Sequence, residues 1–371
     1  MKILLVTDAW RPQINGVVRT LEMTAAELER MGHSTQVVGP DTARLTTFSV
    51  PFYPEIKLEF FARRRLERVF DAFEPEYIHI TTEGPLGMAA RRVCIARGLG
   101  FTSAYHTRFP QYLSARIPKF AARIVERVTY AVLRRFHAAS KAVMVATASI
   151  ERELVAHHFA HIVRWSRGVD LKLFRLYGKD LHSFVDLPRP ILLSVSRLAV
   201  EKNLRAFLSL PTPGSKVVIG DGPDAEALRR EFPNARFLGA MSGEALARAY
   251  AAADLFVFPS IADTFGLVLL EACASGLRVA ALPAPGPLDI FGGDCDCAAL
   301  DADLGQAIRR ALCLPADGAA PRAFAELFTW DACTEQFLEI LRAAPARAVE
   351  TIASQEQHLD NSASASSSRR I

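Results

Sequence analysis

At 371 residues, half of them hydrophobic, the chain is long enough for two globular domains with separate cores. The formal net charge of +4 is uneven: residues 1–170 carry 24 Lys and Arg against 16 Asp and Glu, the remainder 20 against 24, so an acidic partner would dock on the first half. Six cysteines (Cys94, Cys273, Cys295, Cys297, Cys313, Cys333) lack both the paired spacing of a zinc site and the density of a disulfide scaffold, and read as free thiols in a reducing compartment.

The opening Met-Lys-Ile-Leu-Leu-Val is too short for a signal-peptide core and runs directly into Thr7-Asp8, so it reads as a buried strand. Strand-like and helical patterns then alternate. Ile3 to Thr7 precedes an amphipathic helix over Leu21 to Met31, followed by strands at Ser34 to Val38, Tyr77 to Ile80, Phe101 to Tyr105 and Val143 to Thr147. A second series comprises Ile191 to Val195, Lys216 to Ile219, Ala235 to Leu238, Leu255 to Phe258 and Arg278 to Ala281. Such alternation predicts parallel sheets covered by helices. The chain thus divides into a Rossmann-like domain over 1–170, a second over 171–329, a last helix within 330–345 packing back across the lobes, and an Ala/Ser-rich disordered tail over 346–371. The connection falls between Arg167 and Arg189, where no period is visible. No apolar stretch approaches the length of a membrane span, so the expected location is cytoplasmic or peripheral to a membrane.

Four segments carry chemistry. Asn15-Gly16 lies where the first crossover helix begins, and Gly16 would let a backbone N–H approach a phosphate or sugar hydroxyl, although a simple turn has the same residues. The G-x-G-x-x-G spacing is missing, which removes the main support for a nicotinamide or flavin enzyme. Arg197 and Lys202, just past a buried strand, suit a diphosphate: Arg presents a planar fork to phosphate oxygens and Lys a point charge. Gly220-Asp-Gly222 follows another strand on the same side, next to the base or ribose of such a ligand or simply as a turn. Asp263-Thr-Phe-Gly-Leu-Val-Leu-Leu-Glu271 spans a Phe-Gly turn and an apolar run. With a helix starting near Phe265, its first N–H groups would face an anionic ligand at the carboxyl ends of the strands. Asp263 is then either beside that ligand or the helix N-cap, and Glu271 either a ligand for hydroxyl groups or a surface residue.

Together with Tyr105-His-Thr-Arg-Phe109, these motifs resemble the retaining glycosyltransferases of family 4, over Met1 to about Leu341. The match is to the branch holding GDP-mannose-dependent α-mannosyltransferases and the diacylglycerol and phosphatidylinositol glycosyltransferases, which shares Tyr-His-Thr and Asp-Thr-Phe-Gly. The resemblance implies the GT-B fold, two Rossmann-like domains facing each other across a cleft, and a nucleotide-sugar donor with no cofactor or metal. It implies that Arg197 and Lys202 hold the donor diphosphate and Glu271 the ribose, with Asn15 and Gly16 bordering the donor. Asp263 and the backbone at Phe265, Gly266 and Leu267 would hold the donor sugar, with Gly220 nearby. His106 would face that sugar near the reacting carbon, orienting a hydroxyl or shielding an oxocarbenium-like centre rather than acting as a base. Taken alone, a single His after a strand is an ordinary hydrogen-bonded residue. Two departures stand out: the first motif carboxylate is Asp263 where the family most often has Glu, and Ser196 stands where a glycine usually precedes the Arg.

The expected activity is hexosyl transfer, mannose from GDP-mannose, to a lipid or lipid-linked acceptor at the inner membrane face. A UDP-sugar-dependent diacylglycerol glycosyltransferase and a nucleotide-sugar-binding relative without turnover are the alternatives. Arg116 to Lys141 and Arg63 to Arg68 mix cations with apolar residues at helical spacing, as faces for anionic lipid headgroups or as ordinary solvated faces. No nucleic-acid motif accompanies the charge.

Overall fold

The computed structural model describes residues 1–13, 15–43, 45, 47–50, 53–110, 119–176, 184–261 and 263–346. In the first half, β1 (Lys2–Val6), β2 (Ser34–Val38), β5 (Tyr77–Ile80), β6 (Thr102–Tyr105), β7 (Val143–Val145) and β8 (Ile162–Arg164) form one parallel sheet ordered β2-β1-β5-β6-β7-β8. A hairpin of β3 (Thr47–Val50) and β4 (Tyr53–Glu59) stands apart from it. In the second half, β9 (Ile191–Val195), β10 (Ser215–Ile219), β11 (Arg236–Phe237), β12 (Leu255–Phe258), β13 (Arg278–Ala281) and β14 (Ala298–Leu300) form another, ordered β11-β10-β9-β12-β13-β14. Strand order reverses between β1 and β5 and again between β9 and β12. Ligands of doubly wound sheets bind at such switch points, outside the carboxyl ends of the strands.

The period of two along each strand sorts the cores. Leu4 and Val6 of β1, with Ile78 and Ile80, pack on helices Arg63–Phe73 and Pro85–Ala96 through Leu66, Phe70, Leu86 and Val93. Ile3 and Leu5 face the other way, toward Leu21 and Leu28 of helix Gly16–Arg30 and Phe337, Leu338 and Leu341 of helix Trp330–Arg342. This last helix therefore packs on the first-lobe sheet although the second lobe lies between the two in sequence. In the second lobe, Leu193, Phe256 and Val279 pack on Leu269, Leu270 and Cys273 of helix Leu267–Ala274, while Leu192, Val218 and Val257 pack on Phe207, Leu228 and Ile308. Fully burying each such side chain is worth about 1.5–3 kcal/mol.

Ala346 is anchored on the first lobe, its N–H donating to Glu76 O at 2.8 Å and its carbonyl accepting from Gly100 N at 2.7 Å. The remainder of the expected tail, 347–371, lies outside the described residues, as do 177–183 of the expected connection and 111–118 of the basic segment. No described helix is long and apolar enough to cross a membrane.

Candidate active site

Asp8, at the end of β1, accepts from Leu86 N at 2.8 Å, Gly87 N at 3.1 Å and Thr82 Oγ1 at 2.9 Å, capping helix Pro85–Ala96. Burial raises its carboxyl above the usual range, against the pull of those hydrogen bonds. That helix start is filled by the protein's own carboxylate. The opposite holds for helix Leu267–Ala274, whose start has no side-chain cap among the described residues. Its N-cap is Gly266, held at φ +95°, which favours glycine. The expected start near Phe265 is thus displaced by two residues, and Asp263 is not the cap. Its Oδ1 instead accepts from Lys202 Nζ at 2.5 Å, and its Oδ2 is buried without a hydrogen-bond partner among the described residues.

The loop carrying Lys202 is held in place from the neighbouring strand end. After β9, Arg197 is half-buried, and the 3₁₀ turn Val200–Lys202 closes on Asn203 in the left-handed conformation. Asn203 Nδ2 donates to Pro259 O at 3.3 Å and Ser260 Oγ to Glu201 O at 3.4 Å. These contacts bring the 197–203 loop beside the 263–267 loop. Ser196 turns its hydroxyl to Arg197 O at 3.2 Å. Gly220, at φ +139°, lies so close to this loop that an ideal Cβ would stand 1.8 Å from Ser196 O; at Gly222 the nearest atom would be Leu198 O, at 2.5 Å. Both glycines thus have a packing reason to be there, apart from any ligand.

Across the cleft, Asn15 caps helix Gly16–Arg30 by accepting from Val17 N and Val18 N at 3.0 Å each and donates to Gln13 Oε1, so its side chain is committed within the protein. Gly16 faces Leu267, whose Cδ1 would lie 3.7 Å from an added Cβ. The two helix starts meet there. One turn on, Arg19 lines a small cavity with Leu267, Glu271, Gly168 and Asp170. Glu271 accepts from Tyr250 Oη at 3.0 Å; burial raises its carboxyl, opposed by that bond and by the charge of Arg19.

His106 follows β6 and completes the constellation. Its carbonyl accepts from Thr264 Oγ1 of the second lobe at 3.0 Å, its Nδ1 stands 3.3 Å from Arg167 Nη2, and its Nε2 is buried with no partner among the described residues. Burial first, then Arg167, His79 and His137, push its imidazole well below the ordinary histidine range, so the ring is neutral at pH 7. A further lobe-to-lobe contact lies at Ser149, whose N–H and hydroxyl both donate to Asp289 at 3.1 and 3.0 Å.

The structure therefore brings His106, Thr264, Asp263, Lys202, Gly266, Leu267 and Gly16 to one cleft, with Glu271 one helical turn deeper and Phe265 buried in the second core. Arg19, Thr264, Arg167 and the Ser149–Asp289 contact were given no role from sequence; signals were offered by the position of Arg19 one turn after Gly16 and by that of Thr264 inside the Asp263-Thr-Phe-Gly motif. Asp294, part of a literal Asp-Cys-Asp, accepts from Leu300 N at 2.8 Å and pairs with Arg310, away from the cleft. Among the described residues no cluster of three or more His, Cys, Asp or Glu forms a metal site.

Residues 14–173 match the Glycosyltransferase Family 4 model and 189–313 that of Glycosyl transferases group 1. A GDP-mannose-dependent alpha-mannosyltransferase of Mycolicibacterium smegmatis is 31% identical over 310 residues, 78% of this chain and 82% of its own. The chain belongs to glycosyltransferase family 4. The enzyme is also 29% identical over 318 residues to an alpha-monoglucosyldiacylglycerol synthase of Streptococcus pneumoniae, covering 76% of this chain and 71% of the relative. Among solved structures, sucrose-phosphate synthase from Thermosynechococcus elongatus superposes with a TM-score of 0.69 at 20% identity over 92% of this chain and 98% of the other. The glycosyltransferase thus has the GT-B fold expected from its motifs.

Proposed function

We propose that this glycosyltransferase moves mannose, with retention of configuration, from GDP-mannose to a lipid or lipid-linked acceptor at the inner face of a membrane, without a metal ion or cofactor. The observation that carries the reading is the meeting of Lys202 and Asp263 beside the start of helix Leu267–Ala274, which no described side chain caps, across from His106. Lys202, Arg197 and the helix start supply preorganised positive charge where the leaving diphosphate develops negative charge. Asp263 and the backbone of the 265–267 turn hold the sugar hydroxyls, and Glu271 the ribose. The neutral ring of His106 lies against the sugar and takes no proton from the acceptor, and attack from the side of departure retains the anomeric configuration.

Mannose and GDP are favoured by the named activity of the mycobacterial relative. A lipid acceptor is favoured by helix Lys119–His137, where Ile124, Val128 and Val132 are exposed at four-residue spacing beside exposed Arg123 and Arg127. Such a face suits an anionic membrane surface. The second basic cluster is weaker than its sequence suggests: Arg65 is bound to buried Glu59 and Gly39 O, and Arg63 pairs with Glu67.

A second reading, a UDP-sugar-dependent diacylglycerol glycosyltransferase, is favoured by the named activity of the streptococcal relative. Thermal-shift measurements with GDP, UDP and ADP separate the two, since a ligand that binds only the folded state raises the melting temperature by mass action. A GDP-selective rise supports the mannosyl reading; a UDP-selective rise overturns it in favour of the second. Tight nucleotide-sugar binding with no turnover across acceptors would instead mark a binding protein.

A further inference from the structure

Arg167 is 4% exposed, yet among the described residues no carboxylate pairs with it. It donates to the carbonyl oxygens of Trp165 and Ser166 at 2.7 Å each, and its Cζ lies 4.4 Å from the centroid of the Trp165 ring. The remaining contact is Nη2 to His106 Nδ1 at 3.3 Å. A guanidinium has donors only, so this bond forms only when Nδ1 carries no proton. The proton of the neutral ring is then on Nε2, the one ring nitrogen with no partner among the described residues.

The supports of this arrangement come from several elements. Trp165 Nε1 donates to Cys333 O at 3.1 Å, Ser166 N to Gln336 Oε1 at 2.8 Å and Cys333 Sγ to Ser166 O, so the last helix holds the stretch bearing Arg167. From the second lobe, Thr264 fixes the His106 carbonyl. The other titratable groups felt by His106 are His79 of β5, whose Nδ1 is bonded to Thr102 Oγ1, and His137 of helix Lys119–His137, between Ser103 and Glu83. Among the described residues, none that touches the His106 ring offers an acceptor that would draw its proton to Nδ1.

We propose that Arg167 is a positioning residue that locks His106 as the Nε2–H tautomer, so that the imidazole meets an oxygen of the donor hexose as a hydrogen-bond donor. This rests on the reading that His106 borders the donor sugar. It also gives a buried cation in the linker between lobes a role, one not legible from any motif.

The full chain labelled with ¹⁵N-histidine tests this by two-bond ¹H–¹⁵N correlation, with His106 assigned by loss of its signals in His106→Ala. The expected wild-type pattern is Nε2–H with bare Nδ1, unchanged from pH 5 to 8. Arg167→Lys keeps it, and Arg167→Met shifts population to Nδ1–H and lowers kcat by about tenfold with little change in donor KM. An Nδ1–H pattern or a titration between pH 5 and 8 in the wild type, or a wild-type pattern in Arg167→Met, would overturn the proposal. Should Arg167→Met not fold, the wild-type spectrum decides. Turnover of His106→Ala separates the two readings. Undiminished turnover removes His106 from the donor site whatever its tautomer, and lost turnover with an Nδ1–H pattern removes only the role of Arg167.

Discussion

Lys202 Nζ stands 2.5 Å from Asp263 Oδ1, so the cation assigned to the donor diphosphate is already paired with the carboxylate assigned to the donor sugar. Their side chains are 20% and 19% exposed, which leaves the pair accessible from the cleft. Under that assignment, a bound donor competes with Asp263 for Lys202 or shares it. The pair holds the cation in place beforehand, and a diphosphate entering there would replace one anion by a more highly charged one.

Replacing Lys202 or Arg197 by Ala is expected to cut transfer by about 10²-fold or more, the scale of losing one preorganised donor to developing charge. Asp263→Ala should cut transfer similarly while leaving nucleoside diphosphate binding undiminished or tighter, because Lys202 is released. Calorimetric titration with GDP, set beside initial rates, checks this. Full activity in both cation variants would remove the diphosphate assignment.

Glu271 gives a pH dependence of definite sign. Burial raises its folded-state carboxyl above the ordinary glutamate value of 4.5, so the folded protein holds this proton more tightly than the unfolded chain. The resulting stabilisation is present below pH 4.5 and is lost as pH rises through the raised value. Glu271→Gln, which keeps an acceptor for Tyr250 Oη, should therefore melt higher than wild type at pH 8, on the order of a few degrees. The two should converge below pH 4.5, and the variant should be a poorer enzyme. A variant less stable than wild type at pH 8 would contradict the assignment of burial as the dominant cause.

At Gly220, a methyl group would collide with Ser196 O while the backbone stays at φ +139°. Gly220→Ala should destabilise by at least about 2 kcal/mol through overpacking and backbone strain together. Gly239→Ala, also at positive φ but with nothing within 4 Å of the added carbon, provides the control for strain alone. Urea unfolding of both separates the two contributions. Equal effects would mean that the close approach carries no energy.

The Ser149–Asp289 contact joins the lobes by placing a carboxylate at the start of helix Ala148–Ala156. Asp289→Ala should raise donor KM several-fold, with an unchanged far-UV spectrum and a larger radius of gyration in X-ray scattering as the cleft opens. An unchanged KM and radius would show that the latch is not needed to hold the lobes together.

Much of the architecture was legible because parallel strands buried on both faces read as continuous apolar runs, as at Ile191–Val195 and Leu255–Phe258. The hairpin of β3 and β4 stands outside that pattern, and β8 and β14 are only three residues long, too short to show a period. Motifs local in sequence pointed to the cleft, whereas contacts across it did not show. Arg167 and His106 are 61 positions apart, Ser149 and Asp289 140, and Thr264 and His106 158, so only the fold brings them together. The misplaced helix start has a local cause: Gly266 in the left-handed region delays the helix, freeing Asp263 to meet Lys202. At Gly220 and Gly222 the glycine signal was real, but its visible cause is the neighbouring carbonyls of Ser196 and Leu198.

The most direct measurement of the central claim is the anomeric configuration of the product formed from GDP-mannose on vesicles of anionic phospholipid containing lipid acceptors, with a chelator present. An α-mannosyl lipid, identified by its one-bond carbon–proton coupling, is the predicted result. A β-linked product, or transfer only from a UDP-hexose or only after a divalent metal is restored, would contradict it.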